Sequence, residues 1–106
     1  MDIDIVSVCE TDMISRKAGE LIREKLLANW AEPELRLFLH GRKIASVSFF
    51  DEAIGLLMKK GGKTIDEMRI KLKFPDLSPS DRKLLNKVIN TRLEELDGQS
   101  PTPRQK

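Results

Sequence analysis

The sequence predicts a small α/β domain in which strands and helices alternate, and three observations carry that prediction. Apolar residues alternate singly at Leu35, Leu37 and Leu39, and again at Met68, Ile70, Leu72 and Phe74, as on half-buried strands. Between and after these runs the apolar spacing changes to about 3.6 residues, the period of a helix with one buried face. The changes fall at punctuation: Glu32-Pro33-Glu34, Ser46-Val47-Ser48, Lys59-Lys60-Gly61-Gly62-Lys63 and Ser78-Pro79-Ser80-Asp81. The expected architecture is β-α-β-α-β-α, with a mainly parallel sheet, right-handed crossovers and helices chiefly on one face.

Taken in order, Ile3 to Val8 is a β-branched run between acidic residues and reads as the first strand. From about Ser15 to Trp30, Ala18, Leu21, Ile22 and Leu26 mark one face of the first helix. Pro33 removes a donor and turns the chain into the second strand. Ser48, followed three residues on by Asp51, fits a capping box and places a second helix start there, with Phe50, Ala53, Ile54 and Leu57 at helical spacing. Gly61 and Gly62 stop this helix, with lysines near its negative end. The run 68–74 reads as a third strand with Arg69, Lys71 and Lys73 on its outer face. Ser78-Pro79-Ser80-Asp81 starts a third helix whose buried stripe is Leu85, Val88, Ile89 and Leu96. Residues 1–97 are the expected domain, with 98–106 a polar, proline-containing disordered tail. Leu37, Leu39, Ile54, Leu57, Ile70, Leu72, Leu85 and Ile89 are the expected core.

At 106 residues one domain is accommodated and a separate catalytic domain is not. A net charge of +2 is too small to announce nucleic acid by itself. No apolar run is long enough to span a bilayer, and Asp2 and Asp4 stand where a signal peptide carries cations, so the expected location is cytoplasmic and no membrane partner is expected. The single cysteine, Cys9, excludes an internal disulfide and the multi-thiolate zinc sites, and reads as a small buried hydrophobe. His40 is the only histidine and reads as a strand-end surface residue rather than a ligand or a base. Gly61-Gly62-Lys63-Thr64 ends like a phosphate-binding loop but lacks the preceding strand, so ATP binding is disfavoured and no cofactor is expected.

The run Ser46-Val47-Ser48-Phe49-Phe50-Asp51-Glu52-Ala53-Ile54, one helix and a loop after Ser15-Arg16-Lys17-Ala18-Gly19, resembles the bacterial STAS-like domain family of unknown function, whose recurring core is Ser-Phe-x-Asp-Glu. That family is similar to the STAS domains of anti-sigma factor antagonists, which bind a histidine-kinase-type ATPase and are switched by serine phosphorylation at this strand-to-helix turn. The resemblance covers most of residues 1–96. It implies a parallel core with the first strand between the other two, and a non-enzymatic regulatory role. It also makes Ser48 and Ser46 candidate phosphoacceptors, and Ser46, Ser48, Phe49, Asp51 and Glu52 the partner-binding turn. Antagonists carry Asp-Ser-Ser-Gly at the turn; here Phe49 stands in place of the glycine.

Plainer readings stand beside these. Ser46 and Ser48 can serve only as caps, each contributing about 1 kcal/mol. Asp51 and Glu52 can serve only as first-turn carboxylates and, being adjacent, point in different directions. Arg69, Lys71 and Lys73 are a candidate anion-binding patch, and nucleic-acid association through them is the alternative function; a solvated face that blocks edge aggregation is the favoured reading over nucleic-acid binding. A small enzyme centred on His40 is the weakest reading. An exposed edge of a three-stranded sheet makes a homodimer a further expectation.

Overall fold

The computed structural model describes residues 1–12 and 14–98. The tail expected over 99–106 and the side chain of Leu96 lie outside the described residues. Strands β1 (Asp2–Asp4), β2 (Leu35–Phe38) and β3 (Leu72–Lys73) form a parallel sheet in the order β1-β2-β3. Ile3 is in register with Leu37, and Leu35 with Leu72. These four residues are buried on one face. The other face carries the exposed row Asp2, Arg36 and Lys73.

Helix α1 (Ile5–Cys9) follows β1 directly, and α2 (Arg16–Ala28) crosses to β2. A continuous helical segment over 47–59 then comprises α3 (Val47–Phe50), a π-helical turn π1 (Asp51–Gly55) and α4 (Leu56–Lys59). Helix α5 (Ile65–Lys71) runs straight into β3, and α6 (Pro79–Gly98) closes the fold. Because the strands step across the sheet in one direction, right-handed crossovers lay α2 and the 47–59 segment on the same face, where they pack together. That requirement corrects the strand order: with β1 central the two crossovers would step in opposite directions and put their helices on opposite faces. β2 is the central strand.

Two other expectations are corrected. The alternation at 68–74 is a short helix followed by two strand residues, because Thr64 and Glu67 form a reciprocal capping box, with Glu67 N donating to Thr64 Oγ1 at 3.1 Å and Thr64 N to Glu67 Oε1 at 3.2 Å. Met68 and Leu72 are buried at i, i+4 spacing, whereas Ile70 is 72% exposed and is not part of the core. In the first strand only Asp2–Asp4 is extended, since the Asp4 carboxylate accepts from Ser7 N at 3.1 Å and caps α1.

Several other assignments hold, although Leu21, placed on the apolar face of the first helix, is 42% exposed. Ser15 caps α2, accepting from Ala18 N at 3.1 Å. Leu37, Leu39, Ile54, Leu57, Leu72 and Leu85 are buried in one cluster, with Ile89 half-buried against it. Cys9 is buried, and burial pushes its thiol up to about 11, which leaves it unreactive as a nucleophile at neutral pH. His40 is exposed and meets the Asp4 carboxylate at 3.0 Å.

Candidate functional site

The turn between β2 and α3 is rigidly built. After Phe38 the chain passes through the left-handed region at His40 (φ 53°), Gly41 (φ 80°) and Ala45 (φ 50°). For a residue with a β-carbon such a conformation is costly, so it persists only where surrounding bonds hold it. Two carboxylates supply those bonds. Asp76 accepts from Leu39 N at 2.9 Å and His40 N at 2.8 Å. Asp81, fully buried, accepts from Ile44 N at 2.7 Å and Ala45 N at 2.8 Å. Asp81 reads in sequence as an acidic first-turn residue of the last helix, and its own N–H does donate to Ser78 Oγ at 3.2 Å. Its side chain instead fastens the distant turn to α6.

Helix α3 begins one residue after Ser46, not at Ser48. Ser46 Oγ accepts from Phe49 N at 3.1 Å and donates to the Ile14 carbonyl at 2.6 Å. The second bond decides which serine caps: it ties this turn to the one before α2, a gain that no local pattern around Ser48 reveals. Ser48 lies inside the first turn, half-buried, and caps nothing.

The partner-binding residues expected from the sequence separate into two groups. Phe49 is 1% exposed and packs edge-on against Phe50 at 5.7 Å between ring centroids, so its ring is core. Asp51 is buried and receives Arg92 Nε and Nη2, each at 2.7 Å, and Arg16 Nη1 at 3.1 Å. Half-buried Glu52 receives Arg23 Nη1 at 2.8 Å and Arg16 Nη1 at 3.1 Å. Arg92 holds the Asp51 carboxyl below its ordinary range, and Arg23 does the same for Glu52. These carboxylates join α2, π1 and α6 and are not free to meet a partner. Ser46 and Ser48 remain at the surface.

Close approach makes the clamp possible. A Cβ on Gly55 would meet Asp51 Oδ1 at 2.6 Å and Arg92 Cγ at 3.2 Å. One on Gly19 would meet Glu52 Cβ and the Phe49 carbonyl, both at 2.7 Å. Glycine inside a helix was the available sequence signal for this packing; the arginines at 16, 23 and 92 gave none.

Sequence patterning also passed over the apolar pair beside the turn. Ile14 is 61% exposed and Val47 is 46% exposed, and the Ser46–Ile14 hydrogen bond joins their segments. Exposed Lys17 follows in the first turn of α2, and exposed Arg42 and Lys43 precede Val47. Val47 and Lys87 of α6 line one shallow depression. The N-terminal ends of α2 and the 47–59 segment add positive dipole ends to this surface.

The expected anion-binding trio does not form a patch. Lys73 lies on the open face of the sheet, Arg69 lies on the flank of α5, and Lys71 donates to the Glu32 carbonyl while its ammonium sits 5.5 Å from the centre of the Trp30 ring. Among the described residues no group of three or more His, Cys, Asp or Glu side chains is placed to hold a metal ion, and no helix is long and apolar enough to cross a membrane. No family model, curated protein or solved structure matches the chain.

Proposed function

We propose that this chain is a non-enzymatic regulatory module that docks onto an acidic protein surface through the paired turns before α2 and α3. The observation that carries this reading is the exposed pair Ile14 and Val47, whose segments the Ser46 hydrogen bond ties together. Two apolar side chains on a rigid, hydrogen-bonded turn form a preorganised anchor, which lowers the ordering cost of association. The exposed cations Lys17, Arg42 and Lys43 neighbour them in sequence and Lys87 borders the same depression as Val47; set against the acidic Asp12 and Glu95, this excess of cations favours a partner of negative potential and speeds encounter with it.

The resemblance to STAS-like domains names the partner class, a histidine-kinase-type ATPase, and makes phosphorylation at the turn the means of release. The two serines differ in what a phosphate would do. On Ser46 it would replace the hydroxyl that caps α3 and bridges to Ile14, disrupting the anchor itself. On Ser48 it would sit at the helix N-terminus beside carboxylates already neutralised by Arg16, Arg23 and Arg92, leaving the fold intact and adding charge to the docking face.

The test places a photo-cross-linking residue at position 47 and, as a control, at position 73 on the open sheet face, followed by calorimetric titration of the captured ATPase. The expected result is capture from position 47 only, with binding lost in Val47→Glu and weakened by salt. Equal capture from both positions, or titration unchanged by Val47→Glu, would refute the reading.

A further inference from the structure

On the opposite flank of α6, a groove of about 420 Å³ opens between α5 and α6 beside β3. Its floor is apolar, made by Ile65, Met68, Leu72, Phe74, Leu85 and Ile89. Arg69, Arg82, Asn86 and Asn90 stand around it, all exposed. Arg82 Nη2 reaches the Phe74 carbonyl at 3.4 Å, a single long bond that leaves most of its donors available.

The guanidinium groups set this groove apart. Arg16, Arg23, Arg36 and Arg92 are each paired with a carboxylate at 3.1 Å or closer. Among the described residues Arg42, Arg69 and Arg82 have no such partner, and of these Arg69 and Arg82 border the same apolar floor. Of these three guanidiniums left without a carboxylate, two therefore stand together beside hydrocarbon in this groove.

We propose that this groove binds a small amphipathic organic anion: an apolar body lying on the floor and a carboxylate held by Arg69 and Arg82. The dimensions favour a small molecule over a protein segment. Helix α5 has seven residues, about 10 Å of wall, too short to seat a helix of several turns. A stable protein interface needs roughly 800 Å² from each partner, far more than this groove presents. Its volume instead falls in the usual range for small ligands, about 300–1,000 Å³. A dry cavity of about 150 Å³ holds a benzene-sized ring, so there is room for two or three such units. The guanidinium fork suits a carboxylate, and the amides of Asn86 and Asn90 are placed to take up further polar atoms.

The experiment is an amide-resolved NMR titration of the full chain with three probes below their aggregation limits: decanoate, decan-1-ol and acetate. Saturable decanoate shifts should centre on Arg69, Leu72, Phe74, Arg82 and Asn86, with decan-1-ol binding roughly tenfold or more weaker and acetate not saturating. The double variant Arg69→Gln/Arg82→Gln should lose roughly tenfold or more in decanoate affinity while its binding of decan-1-ol is unchanged. Asn86→Trp, which fills the mouth of the groove from an exposed position, should abolish binding of both. Thermal unfolding of each variant reports whether the fold is kept. Equal affinity for decanoate and decan-1-ol, shifts centred on Ile14 and Val47, or an affinity unmoved by loss of both arginines would overturn the proposal. So would groove shifts that follow protein concentration alone and resist competition by decanoate, since these would assign the groove to another copy of the chain. The docking turn lies elsewhere, so failure here leaves the proposed function standing and the converse holds.

Discussion

Replacing Asp51 by Asn keeps the shape of the side chain and removes its charge, which isolates what the clamp contributes. The carboxylate accepts two hydrogen bonds from Arg92 at 2.7 Å and one from Arg16 at 3.1 Å. Bonds to charged groups contribute about 1.5–3 kcal/mol each, and an amide can keep at most part of that set. Arg92 also holds Glu95 at 3.0 Å, so its charge is not wholly orphaned. The expected loss is therefore about 2–4 kcal/mol rather than the upper end for breaking a buried pair. For a domain of this size that corresponds to roughly 10–25 °C in Tm. The pH dependence gives the sharper test. Arg92 holds the Asp51 carboxyl below its ordinary value of 3.8, so the unfolded chain takes up the proton first as pH falls. The stabilisation is fully present above that ordinary value and is lost as pH drops through the lower folded value. Denaturant unfolding of both proteins between pH 7 and pH 2 should show a gap that is largest at neutral pH and closes in acid. A gap under about 0.5 kcal/mol at pH 7, or one that persists unchanged to pH 2, would refute the clamp.

Gly19→Ala should destabilise the fold by more than the usual gain in helix propensity, about 1 kcal/mol, can offset, because the new methyl lands 2.7 Å from both Glu52 Cβ and the Phe49 carbonyl; a rise in Tm would show that α2 shifts freely. Leu72→Ala should cost about 2–5 kcal/mol and Ile70→Ala less than about 0.5 kcal/mol, the former being buried and the latter 72% exposed; equal losses in chemical denaturation would put residue 70 back on a strand. Ser46→Ala should lose about 1 kcal/mol or more as both cap and bridge disappear, whereas Ser48→Ala should be close to neutral, and the reverse order in calorimetric unfolding would return the cap to Ser48.

The parts of the fold that were legible in the sequence are those where one local rule operates alone. Helix α2 and helix α6 have a serine near the start and a long apolar stripe, and both fold where the spacing puts them. β2 is legible because Leu35, Leu37 and Leu39 alternate between a proline turn and a glycine. The run 65–74 is ambiguous because two rules compete over the same residues. Met68, Ile70 and Leu72 satisfy a period of two, while Ile65, Met68 and Leu72 satisfy a helical period. Over seven residues neither periodicity decides. The Thr64–Glu67 box does, and it was present in the sequence as Thr-x-x-Glu. Short apolar runs next to such a box are better read as helix.

The turn before α3 was harder for a different reason: its determinants are nonlocal. Ser46 outcompetes Ser48 as the cap through a carbonyl 32 residues away, and Ala45 holds its left-handed conformation through a carboxylate 36 residues on. The same applies to Asp51 and Glu52. As isolated residues they look like solvent-facing charges at a helix start, the profile of a recognition motif. In the fold they are, among the described residues, the carboxylates that receive Arg16, Arg23 and Arg92 across the helix junction. A residue pattern can therefore recur because it builds a surface without itself belonging to that surface. Here the buried Phe and Asp hold π1 against α2 and α6, and that fixes where Val47 and the two serines stand. Substitution at Asp51 should then weaken the proposed partner binding only by loosening the turn, whereas substitution at Val47 should weaken it at full stability; measuring both quantities on both variants separates the support from the contact.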